Sequence, residues 1–188
     1  MKILTIFIDM IRPNRLSTFN PKIKIDTPLD LLLKELGGKV YTNCFSPGPD
    51  TPRGISAFLT GLSPYQNGCT TRLKWPKHFL DKNVQTIFDL FFENNYKINC
   101  YSPITHQKLG IFPKHISDMN IHNKNNDMDR YLSKIKLQDK HFIFVDIYDY
   151  HMAMDDMGAS TYSEKESYEI VRDAYEVVFK NFNKEDFD

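Results

Sequence analysis

Long apolar runs, a surplus of either charge, paired cysteines and low-complexity tracts are all missing from these 188 residues. No apolar stretch approaches the roughly 20 residues of a membrane-spanning helix, so no membrane span is expected. The first apolar run, residues 3–8 (ILTIFI), ends at Asp9 after six residues. It is too short for the core of a signal peptide and no small-residue cleavage site follows, so it reads as a buried strand of a cytoplasmic protein. Lys+Arg and Asp+Glu are both 24, giving a formal net charge of zero. A balanced chain without a basic run has no general electrostatic reason to seek nucleic acid or an acidic membrane. Cys44, Cys69 and Cys100 are odd in number and widely spaced, which points to reduced thiols and away from a disulfide framework or a zinc site.

What is present alternates strand and helix patterns. Residues 3–8 are β-branched and apolar, as in a central parallel strand. Thr27, Pro28 and Asp30 open a helix whose face is Leu29, Leu32, Leu33 and Leu36, and Gly37-Gly38 stops it. Residues 39–45 (KVYTNCF) read as the next strand, SPGPDTP as a loop, and 54–59 as a short helix closed near Gly61. A helix over 84–93, a strand over 98–101, an irregular connection over 108–124 and a helix over 127–137 follow. His141–Ile147 (HFIFVDI) is another apolar strand. Ser163 and Glu166 form a capping-box pair ahead of a stripe made by Val171, Ala174, Tyr175, Val178, Phe179 and Phe182. This order implies βαβ units: an α/β fold with a mainly parallel sheet covered on both faces.

In such sheets ligands sit beyond the carboxyl ends of the strands. Asp9 follows the first strand, Thr51 lies in the loop after the second, and Asp149 and His151 follow HFIFVDI. Each has an ordinary alternative. Asp9 suits a turn, and Thr51 suits the cap of a helix beginning near Arg53. His151 suits a surface loop, and Asp155 and Asp156 read as loop carboxylates.

The order of motifs adds a resemblance. IDMIRPNRL, TPLDLLLKELGGKVYTNCFSPGPDTP, TPRGISAFLTGLSPYQNG, VQTIFDLFFENNYKINCYS and FIFVDIYDYH follow one another as do the motifs of the alkaline phosphatase superfamily, sulfatase-like branch. The chain resembles the N-terminal part of a single sulfatase-like α/β catalytic domain, residues 1–188. The resemblance implies a three-layer sandwich whose C-terminal strands are missing, with apolar edges prone to self-association. It implies a divalent metal (Zn, Mn, Mg or Ca) with Asp9 and Thr51 among its ligands, Thr51 as nucleophile, and His151 as an acid or a contact to the transferred group. Arg53, His106 and Asp149 are then expected beside a small-molecule or headgroup phosphoester.

Departures from the family pattern refine these expectations. Sulfatases convert Cys or Ser to formylglycine, which Thr51 does not allow, so phosphodiester-type chemistry is expected ahead of sulfate-ester hydrolysis. Met10 stands where the family has a second aspartate, and Ile55 where it has an arginine, with Arg53 displaced nearby. SPITH lacks the family's lysine and sets His106 one residue off. No Asp-His or Asp-Asn-Gly follows residue 151, so the alternative is a truncated, non-catalytic member of the family.

Overall fold

Strand β1, Lys2–Ile8, lies in a four-stranded sheet with β2 (Lys97–Pro103), β3 (Asp118–His122) and β4 (His141–Ile147), in the order β1-β4-β2-β3. The structure is a computed structural model that describes residues 1–70, 80–107, 110, 112, 118–122, 126–148, 150–151 and 164–188. Seven helices are described: α1 (Pro28–Leu36), α2 (Thr51–Thr60), α3 (Pro64–Asn67), α4 (Ile87–Glu93), α5 (Ile104–Gln107), α6 (Asn126–Leu132) and α7 (Glu164–Asn181). The α/β class expected from the sequence is what the chain adopts. None of the described helices is long and apolar enough to cross a membrane.

The chain divides into two compact units. The first comprises Met1–Ile6, Phe45–Asp146 and Glu185–Asp188. Here β2 runs parallel to both neighbours, with Cys100 opposite Met119 on β3 and Phe144 on β4. Every residue of β4 is buried, which explains its apolar run over 142–145; His141 and Asp146 are buried polar residues at either side of that run. Phe88 of α4 is fully buried and meets Phe142 and Phe144 edge-on at centroid distances of 5.4 and 5.7 Å. Helix α4 starts at Ile87 because Thr86 caps it: Thr86 N–H donates to Asp89 Oδ2 at 2.7 Å, and Asp89 N–H returns to Thr86 Oγ1 at 3.3 Å. At the start of β1, Lys2 N–H donates to Asp188 Oδ2 at 2.6 Å and Asp188 N–H donates to Lys2 O at 3.0 Å.

The second unit comprises Phe7–Cys44 and Ile147–Lys184. Its two long helices, α1 and α7, pack together. Val171 and Val178 of α7 are fully buried, and Tyr175 stacks along the helix on Phe179. Thr27 caps α1 as expected, Asp30 closes a capping box with it, and Asp30 also accepts from Thr18 N–H (2.8 Å) and Thr18 Oγ1 (2.7 Å). Burial raises the Asp30 carboxyl, but the hydrogen bonds from Thr18 and Thr27 outweigh it and hold the group well below the carboxylate range.

Three element readings need correction. Residues 39–45 form no strand; Val40, Tyr41 and Phe45 are exposed, Phe45 at 89%. Strand propensity needs a neighbouring strand to become a strand, and this segment pairs with none among the described residues. Residues 108–124 are not wholly irregular, for β3 lies within them and pairs with β2. The helix expected over 127–137 ends at Leu132. Ser163, the expected cap of α7, lies outside the described residues.

Candidate functional site

Helix α2 carries Thr51 as its first residue. The cap is Asp50, whose carboxylate accepts from Arg53 N–H at 3.2 Å. The same carboxylate takes Arg53 Nε at 3.0 Å and Nη2 in a two-point ion pair. Arg53 is therefore held back along its own helix, its side chain 25% exposed. A Cβ on Gly48 would stand 2.5 Å from Arg53 Cβ, so only glycine lets the preceding loop pass this close to α2. Beyond Gly61, which takes the left-handed conformation at φ 67°, buried Asn67 donates to Ser56 Oγ and Thr60 Oγ1 at 3.3 Å each. Those contacts bind the whole stretch TPRGISAFLTGLSPYQNG into one folded segment.

In the second unit, Asp9 follows β1 and is 6% exposed. Its N–H donates to Ile147 O at 3.1 Å, and its Oδ2 lies 2.5 Å from His151 Nδ1. The Tyr148 ring packs 4.4 Å from the His151 ring. Met10 has φ 64°, a left-handed conformation that a non-glycine residue adopts only under constraint. The strained backbone thus falls next to Asp9. Asp149, expected beside the substrate, lies outside the described residues, as do Asp155 and Asp156.

His106 is not on the surface. It is 3% exposed in α5, and its Nδ1 lies 2.6 Å from Asp146 Oδ2. Ser102 Oγ donates to the same oxygen at 2.8 Å. Asp146 has no exposed surface, and sequence reasoning passed over it as part of an apolar strand. The available signal was the anomaly itself: a carboxylate inside HFIFVDI must find donors if it is buried.

The chemistry of the donors tests the expected divalent metal. Among the described residues no group of three or more His, Cys, Asp and Glu side chains lies close enough to hold an ion. Asp9 and His151 offer two donors, and they already face each other across a hydrogen bond. Two such groups do not make a metal site without further ligands.

No protein-family model and no curated protein matches the sequence. Among solved structures, the chain is similar to a crystal structure of a "putative sulfatase" from Bacteroides thetaiotaomicron, with a TM-score of 0.62 and 18% identity. The match covers 87% of this chain and 39% of that one, so the chain spans well under half the length of its neighbour. At this identity the likeness speaks for the fold: the polypeptide has a sulfatase-like α/β architecture.

Proposed function

We propose that this chain carries part of a phosphoester hydrolase or transferase site, of phosphodiester type, with Thr51 as nucleophile. One observation carries the reading: Asp50, and not Thr51, caps α2. The ordinary employment of a threonine before a helix is already taken by its neighbour. An oxygen at the first helical position lies near the opening N–H groups of a ten-residue helix, where charge developing on a phosphoryl group is favoured.

In this reading the Thr51 Oγ1–P bond forms and the ester P–O bond breaks. The leaving alcohol takes a proton from His151, and the threonine proton passes to solvent. Water, or an acceptor alcohol in a transferase, then attacks phosphorus and gives its proton to His151. The P–Oγ1 bond breaks, and Thr51 is reprotonated. Arg53, His106 and Asp149 orient the phosphoester, which is a small molecule or a headgroup. A divalent ion with Asp9 and Thr51 as ligands would neutralise phosphate oxygens. The described residues do not complete its ligand set, and no step above runs through it.

The test is hydrolysis of a chromogenic phosphodiester by the native gene product, with zinc, manganese or magnesium supplied. Thr51→Ala should abolish turnover and Thr51→Ser should keep part of it. An alanine variant that stays active sinks the proposal. A second reading is a non-catalytic chain of this fold. It predicts neither turnover nor saturable binding in a metal titration.

A further inference from the structure

Among the described residues of the first unit His106 and His141 are buried, and their surroundings differ in kind. His141, the first residue of β4, donates through Nε2 to Asn99 Oδ1 at 2.7 Å, while its Nδ1 accepts from Gln138 N–H at 3.3 Å. Both partners are neutral, and burial lowers the His141 pKa to about 4. That histidine stays uncharged and serves packing. His106 lies at the other end of the strands, against a carboxylate.

The register explains how. Tyr101 of β2 faces Val145 of β4, so the next pair in the ladder is Ser102 and Asp146, at the carboxyl ends of both strands. Helix α5 starts directly after β2 and brings His106 back over this pair. One carboxylate oxygen then receives two donors, Ser102 Oγ at 2.8 Å and His106 Nδ1 at 2.6 Å. Ser102 and Asp146 have no exposed surface and His106 is 3% exposed. Burying an ion pair gains little stability over apolar packing of the same volume, so stability alone is a poor reason for this cluster. The carboxyl edge of an open α/β sheet is where ligands bind.

We infer that Asp146 is a positioning residue: it takes the Nδ1–H of His106, with Ser102 steadying the same oxygen, and thereby holds Nε2 as a second proton-exchanging nitrogen, additional to that of His151, through which the threonine proton reaches solvent, besides orienting the phosphoester. The inference rests on the phosphoester reading for the identity of that substrate. The other titratable groups on the strands under α5 are Lys97, Tyr101 and Cys100 on β2, the last with its thiol kept protonated by burial, and Asp118 and His122 on β3.

Long-range nitrogen–proton NMR on the wild-type protein, with His106 assigned through His106→Gln, reads the tautomer without any assay of activity. A proton on Nδ1 across the pH range of the folded state is expected; a bare Nδ1 with the proton on Nε2 overturns the inference. In the turnover assay, Asp146→Asn should lower kcat by roughly 100-fold, the low end of what a placed proton carrier contributes, with KM little changed and the acidic limb of the pH profile moved. A variant that melts earlier but keeps kcat and its pH profile makes the cluster purely structural and overturns it. Should Asp146→Asn not fold, Ser102→Ala decides: a several-fold loss in kcat with an altered His106 Nδ1 resonance supports the inference, and no change in either refutes it. A wild-type protein inactive on phosphoesters would refute the substrate reading, while the tautomer measurement would still judge Asp146.

Discussion

Asp9 and His151 are 142 positions apart in the chain, yet Oδ2 of the first lies 2.5 Å from Nδ1 of the second. The contact joins the residue after β1 to the segment that follows β4, reinforced by the Asp9 N–H to Ile147 O bond at 3.1 Å. Any ion that takes the Asp9 oxygen must therefore displace or share it with an imidazole N–H.

The pair should behave as a unit in stability measurements. A hydrogen bond involving a charged group contributes about 1.5–3 kcal/mol. Asp9→Ala and His151→Ala should each destabilise the fold by roughly that amount in urea titrations. The double variant should lose less than the sum, with a coupling of about 0.5–3 kcal/mol. Strict additivity would mean that the contact contributes nothing.

Asp50 does two jobs that substitutions can separate. Asp50→Ala removes the cap of α2 and should cost about 1 kcal/mol in thermal or denaturant unfolding. Asp50→Asn keeps a capping oxygen but dissolves the ion pair with Arg53, so stability should change little while the guanidinium is released. If Arg53 binds phosphate, the asparagine variant should show a lower KM for a phosphoester than the parent. An unchanged KM would leave Arg53 as a helix residue only.

His141 should make the protein sensitive to mild acid. Its pKa is about 4 in the folded chain against 6.5 in the unfolded one, with burial the main cause and Lys97 the second. The unfolded state thus binds the proton first, so stability falls as pH drops from about 6.5 to about 4 and then levels off for this group. The integrated effect is roughly 3 kcal/mol. Asp30, depressed by its hydrogen bonds, adds its own loss only below the ordinary carboxylate range, so the two are separable in pH. Unfolding midpoints measured between pH 7 and 4 should fall for the parent and stay nearly level for His141→Gln.

Local chemistry was the legible part of the sequence. Thr27 with Asp30, the leucine face of α1 and the apolar run of β4 were readable because capping and burial act over a few residues. Residues 39–45 misled because strand propensity cannot report whether a partner strand is there. Strand β3, DMNIH, was missed because its alternation lasts only five residues and three of them are polar. The placement of His106 against Asp146 depends on the register of two strands paired 44 residues apart, which no local pattern encodes. Asp9 and Thr51 were singled out by motif order; Asp50, one residue before Thr51, is the cap of α2, which local pattern did not distinguish from Thr51.

The segment over 39–45 also carries a built-in reporter. Cys44 is exposed, whereas Cys69 and Cys100 are buried with their thiols pushed up towards the protonated form. A thiol-reactive dye added to the folded protein should therefore mark one place, next to the exposed Phe45. Its emission would read out, in real time, whether this strand-prone stretch remains in water or has found something to lie against.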